Sequence, residues 1–157
     1  MDTTPIAPGT FLRSFLSTVH LGDSSTMPVL AELSYTSSNP YALTLTIRLY
    51  GHSVPWTFAR TLLSHGLTTP TGDGDVHVWP DLDDDSQPVV AIELCSRQGQ
   101  AQVEVSAQEA VDFITRTYAL VADGDESRHL DVDATIAAIR RAETAKLVLR
   151  VGSCLTL

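Results

Sequence analysis

Basic residues are scarce in this chain. Only 10 Lys plus Arg stand against 19 Asp plus Glu among 157 residues, a formal net charge of -9. A protein that tracks a phosphate backbone needs the opposite surplus, and anionic bilayers attract polybasic segments, so the balance argues against both partners. The shortage is steepest over residues 1–127, with 16 acids and 5 bases, whereas residues 128–157 hold 3 acids and 5 bases. An acidic body with a mildly basic tail bears on solubility and partners rather than on fold. Cysteine is also rare. Cys95 and Cys154 are too few and too far apart for a disulfide scaffold or a zinc site, and both read as buried or half-buried thiols. No apolar run approaches the ~18 residues of a membrane span. Met1–Gly9 lacks the basic and apolar regions of a signal peptide, so a cytoplasmic location is expected.

Apolar residues make up 43% and charged residues 18%, a globular composition for a single domain. A loose arm over 1–10, a core over about 11–146 and a variable tail over 147–157 are expected. Phe11–Leu21 fits helix or strand by periodicity, and its Ser and Thr content tilts it toward strand. Val29–Tyr35 and Tyr41–Tyr50 alternate cleanly and read as a hairpin around a turn over Thr36–Pro40. A short helix is expected from Ser53 to Gly66. Ser53 would cap it, Pro55 would suit its first turn, Trp56, Ala59 and Leu63 would form its apolar stripe, and Gly66 would occupy C′. Residues 68–75 read as a loop, Val76–Trp79 as a short strand, and Pro80–Pro88 as an acidic loop. Val89–Cys95 and Gln102–Val105 form a second hairpin.

Ser106 and Glu109 have the spacing of a capping box. It would open a helix to about Val121, with Val111, Ile114, Tyr118 and Val121 on one face and an outward Asp112–Arg116 pair. A last helix would run from Asp131 or Asp133 to about Lys146, with Ile136 and Ile139 inward. Strands, a short helix, strands and then helices describe an α+β fold.

Chemistry-bearing motifs are weak. Asp81, Asp83 and Asp85 fall on the first positions of a calcium loop, but Ser86 and Ile92 stand where the turn Gly and the bidentate Glu belong. Gly72-Asp73-Gly74-Asp75 lacks a Lys and leads into a strand, so it is no phosphate cradle. The five histidines are scattered without metal-ligand spacing, and Cys95 has no nucleophile signature around it. Catalytic residues, metal ligands and cofactors are therefore all expected to be none.

One stretch is specific: Val54-Pro-Trp56-Thr-Phe58-Ala59-Arg60-Thr-Leu62-Leu63-Ser-His-Gly66-Leu67, then Pro70, Gly72-Asp-Gly74-Asp75-Val76 and Trp79-Pro80. It resembles the SsgA-like family of sporulation and cell-division proteins of actinomycetes. Asn39-Pro40-Tyr41-Ala42 resembles that family's turn into a strand, and Phe113-Ile-Thr-Arg116-Thr-Tyr118-Ala-Leu120-Val121 resembles its helix end. Order and spacing match across roughly residues 27–145. Thr61, Asp73, His77 and Cys95 depart from the family's usual residues.

The resemblance implies a fold like that of the Whirly single-stranded nucleic-acid binders. It also implies a homo-oligomer, a trimer, and a non-enzymatic adaptor at division septa. Its partners would be division-machinery proteins, in some members the tubulin-like FtsZ, or cell-wall remodelling proteins. The motif residues are then mainly structural, with Arg60 expected to pair with Asp75. The rival reading, a single-stranded nucleic-acid-binding module of Whirly-like fold, needs a basic face that the acidic body does not supply.

Overall fold

The computed structural model describes residues 9–130 together with 136, 137 and 139–141. Eight strands form one antiparallel sheet: β1 (Thr10–Leu21), β2 (Thr26–Thr36), β3 (Ala42–Leu49), β4 (His52–Ala59), β5 (Thr71–Asp73), β6 (Val76–Leu82), β7 (Pro88–Ser96) and β8 (Gly99–Ser106). Helix α1 (Arg60–Gly66) follows β4, α2 (Ala107–Leu120) follows β8, and a 3-10 turn spans Glu126–His129. The strand order is β4-β3-β2-β1-β8-β7-β6-β5. Two meanders, β1–β4 and β5–β8, are thus joined where Thr18–Leu21 pairs with Glu104–Ala101. Curling of the sheet brings both meanders onto one core with α1 and α2, including Leu33, Leu45, Leu63, Val78, Ile92 and Phe113. The α+β class is borne out.

Alternation explains the strands. Val29, Ala31, Leu33 and Tyr35 are buried, while the residues between them face outward or lie half-buried. β1 is a strand as its Ser and Thr content suggested, paired along its length with β2. Its turn into β2 is held by Asp23, whose carboxylate accepts the Ser25 N–H at 3.0 Å.

The helix expected from Ser53 forms only from Arg60. Tyr50 and Gly51 have φ of 48° and 78°, the pair of left-handed residues that makes a two-residue hairpin turn. The chain therefore folds back as β4, and Leu45 faces Trp56 while Leu43 faces Phe58 across the ladder. Ser53 and Pro55 are strand residues and cap nothing. Gly66 is the last residue of α1 rather than a left-handed C′ residue. Its requirement is space: a Cβ there would lie 2.2 Å from Val78 Cγ1.

Further corrections are local. Thr71–Asp73 adds a short strand to the expected loop, and Pro80–Leu82 extends β6. The Asp83 carboxylate accepts the N–H groups of Asp85 at 2.9 Å and Gln87 at 2.8 Å, so it organises its own turn. Ser106 stands at the α2 N-cap without a side-chain capping bond, and the Glu109 carboxylate, which a capping box would turn back to the Ser106 N–H, is drawn instead to Arg13 of β1 at 2.7 Å. The buried face of α2 is Ala110, Phe113, Ile114 and Thr117, and Val111 is exposed. Arg116 lies over the Phe11 ring at 4.8 Å rather than against Asp112, which accepts from Gln108 at 2.9 Å. Ile136 and Ile139, expected inward, are exposed. Most of the expected last helix, the arm over 1–8 and the tail over 147–157 lie outside the described residues.

Candidate functional site

The sequence motif converges on a buried arginine. Arg60 opens α1, and its backbone N–H bonds the Tyr41 carbonyl at 2.8 Å, so the entry to β3 supplies the acceptor that the helix start requires. The side chain is 1% exposed. Its guanidinium donates to the carbonyl oxygens of Thr117 at 3.1 Å and Val121 at 2.8 Å. Those carbonyls belong to the C-terminal end of α2, where a cation complements the helix dipole. The remaining charge meets Glu126 Oε1 at 2.8 Å, while Glu126 Oε2 accepts the Gly124 N–H at 2.8 Å. The group stacks over Tyr118 at 4.1 Å, with Tyr35 at 5.2 Å. Tyr35 is itself pinned by its hydroxyl, which donates to the Pro40 carbonyl at 3.0 Å.

Arg60 thus pairs with Glu126, not with Asp75. Asp75 lies in the β5–β6 turn, where its carbonyl accepts the Cys95 N–H at 2.9 Å. Hydrogen bonds from the backbone of its own residue, from Arg60 and from Gly124 hold the Glu126 carboxyl below the usual carboxylate range. Burial pushes the Tyr35 phenol up. No buried side-chain N or O among the described residues lacks a partner. The centre is therefore fully satisfied and ties β4, α1, α2 and the following loop together, a structural clamp.

The other motif residues divide by position. Phe58, Leu62 and Leu63 are core, and Ala59 is the N-cap of α1. Gly72 lies beneath the His77 imidazole, where a Cβ would come within 2.2 Å of Cδ2. Gly74 turns the β5–β6 hairpin at φ 59°. Trp79 is half-buried on β6 and donates its indole N–H to Asp81 at 3.4 Å, and Pro80 is exposed beside it. Trp56 is half-buried and lines an open apolar groove with Val19, Leu21, Ile47, Val54 and Ala101. Large apolar side chains also stand free on the surface: Tyr50 is 86% exposed and Leu16 84%.

The structure brings together one constellation that the sequence reading passed over. His77 on β6 faces Glu93 on β7 across the ladder, with Nδ1 3.4 Å from Oε1. Cys95, two residues on and so on the same face, lies with Sγ 3.7 Å from that same oxygen. Burial and the neighbouring Glu93 hold the thiol above its ordinary pKa. The spacing Glu93-x-Cys95 was a readable signal; the cross-strand His was not.

Four of the five arginines in residues 1–127 are engaged: Arg13 with Glu109, Arg48 with Glu32, Arg60 with Glu126, and Arg116 over Phe11. Among the described residues no helix is long and apolar enough to cross a membrane.

The family model described as Streptomyces sporulation and cell division protein, SsgA, matches residues 29–126. The sporulation-specific cell division protein SsgB of Streptomyces coelicolor is 42% identical over 120 residues, covering 76% of this chain and 87% of that protein. The SsgB of Saccharopolyspora erythraea is 43% identical over 115 residues, covering 72% and 79%. Among solved structures, an SsgA-like sporulation-specific cell division protein from Thermobifida fusca superposes with a TM-score of 0.72 at 35% identity, covering 82% of this chain and 94% of that one. A second structure, from work on SsgB mutations and longitudinal cell division in S. coelicolor sporulation, gives 0.71 at 40% identity, covering 76% and 94%. With its motif built into the clamp around Arg60, and matched in sequence and fold to these proteins, the chain belongs to the SsgA family of sporulation and cell division proteins.

Proposed function

We propose that the protein is a non-enzymatic adaptor of sporulation-specific cell division, a homo-oligomer recruited to division septa. It would act there on the FtsZ-based division machinery or on cell-wall remodelling proteins. The observation that carries the reading is how the family motif is used. Phe58, Leu62 and Leu63 are core, and Arg60 is consumed by Glu126 and by the carbonyls of α2. With Arg60 and its apolar neighbours spent on holding the fold, function is left to the surface, which carries the groove lined by the motif's own Trp56 and the exposed Leu16 and Tyr50. Exposed apolar patches of this kind suit protein contacts. The pairing of Arg13, Arg48 and Arg60 with acids removes much of the cationic surface that the nucleic-acid reading needs.

The test has three arms. A fluorescent fusion in sporulating cells is expected at septa. Purified chain is expected to elute as a trimer by light scattering and to co-sediment with FtsZ or be captured with a cell-wall partner. Micromolar binding of single-stranded DNA at physiological salt would overturn the reading in favour of the nucleic-acid module.

A further inference from the structure

We propose that His77, Glu93 and Cys95 form a binding site for a divalent cation of the zinc class on the outer face of β6 and β7. The three ligand atoms, one imidazole nitrogen, one carboxylate oxygen and one sulfur, all lie within 4.8 Å of one another. Zinc bonds of about 2.0–2.1 Å to N and O and about 2.3 Å to S give a tetrahedron with N–O and S–O edges of roughly 3.3 and 3.5 Å. The observed separations are 3.4 Å for Nδ1–Oε1 and 3.7 Å for Sγ–Oε1. Two edges of the coordination polyhedron are thus in place before any metal arrives.

The backbone sets this geometry. His77 and Glu93 are direct cross-strand partners, and Cys95 follows Glu93 by one strand period. The imidazole rests over Gly72, its partner on β5, where any side chain would collide with Cδ2. The ring is therefore backed by main chain and its Nδ1 is turned to Glu93.

The donor set is selective. Calcium and magnesium take oxygen ligands, whereas mixed nitrogen, sulfur and oxygen donors suit zinc and its neighbours. Three protein ligands leave the fourth corner to water, and the half-exposed His77 side chain opens the site to solvent. On binding, the Cys95 sulfur gives up its proton to solvent and coordinates as thiolate. The site is independent of the adaptor reading.

Titration of the full chain with Co²⁺, followed by absorption, tests it. A thiolate-to-cobalt charge-transfer band is expected, unchanged in Cys154→Ser and lost in Cys95→Ser. His77→Ala and Gly72→Ala are each expected to weaken Co²⁺ binding by about tenfold or more, with circular dichroism reporting the fold of each variant. Zn²⁺ should raise the melting temperature of the native chain but not of Cys95→Ser. Absence of the band at saturating Co²⁺, its survival in Cys95→Ser, or an undiminished affinity in folded His77→Ala overturns the proposal.

Discussion

Arg60 and Glu126, 66 residues apart in sequence, meet at 2.8 Å with side chains only 1% and 8% exposed. The pair sits at the C-terminal end of α2, and the same guanidinium also bonds two of that helix's carbonyls. Removing Arg60 would leave a buried carboxylate and those carbonyls without their donor. Breaking a buried pair in this way costs about 3–5 kcal/mol. Arg60→Ala is therefore expected to lower the melting temperature sharply. Arg60→Lys should recover little, because a point charge cannot reach Thr117, Val121 and Glu126 together. Chemical denaturation of both variants measures this, and an unchanged midpoint in Arg60→Ala sinks the structural role.

The same pair has a pH signature. The folded-state pKa of Glu126 is lowered from its ordinary 4.5, first by its own backbone hydrogen bond and then by Arg60. A depressed carboxylate contributes stability that is fully present above its unfolded pKa and is lost as pH falls through the folded one. Glu109, held down by Arg13, acts in the same window. Stability should therefore be flat in this respect at neutral pH and decline below about pH 4.5. Glu126→Gln should be less stable at pH 7 and show a shallower acid decline, read from denaturation midpoints across pH. An acid slope equal to that of the native chain would falsify the assignment to Glu126.

Tyr50 offers a gain. It is 86% exposed and holds φ 48° beside Gly51, a left-handed conformation that Asn adopts far more readily than an aromatic residue. Tyr50→Asn is expected to raise stability by about 0.5–1 kcal/mol, part of the roughly 1–2 kcal/mol that the left-handed conformation costs a residue with a Cβ, and Gly51→Ala to lower it by about 1–2 kcal/mol. Opposite signs in thermal melts check the turn type.

Gly66 separates space from propensity. In an exposed helix, Gly→Ala gains nearly 1 kcal/mol. Here the added Cβ meets Val78 Cγ1 at 2.2 Å and the Val78 carbonyl carbon at 3.3 Å, so Gly66→Ala should cost about 1–3 kcal/mol as an overpacked contact. A stabilised Gly66→Ala would mean that α1 stands further from β6 than it does here.

Much of the fold was legible because its signals are local. β2 and β3 alternate at period two, α2 carries helical spacing, and the family motif reads directly off residues 54–80 and 113–121. β4 was missed because Trp56, Ala59 and Leu63 happen to fall at i, i+3 and i+7 although strand gives way to helix at Ala59–Arg60. What settles it is the two-residue turn at Tyr50–Gly51 and the ladder to β3, and neither alters the local hydrophobic period. Ser106 and Glu109 have the spacing of a capping box, but the Glu109 half of it loses to a tertiary partner, Arg13.

By itself the sequence determined the acidic charge plan, the alternating strands, the α+β class and the family, since these depend on composition and on neighbours within a few residues. Only the tertiary structure decided that Arg60 answers Glu126 rather than the nearer Asp75, and that His77 shares one face with Glu93 and Cys95. A long-range partner is chosen by which elements pack together and by strand register, where a slip of one residue would send every side chain to the opposite face.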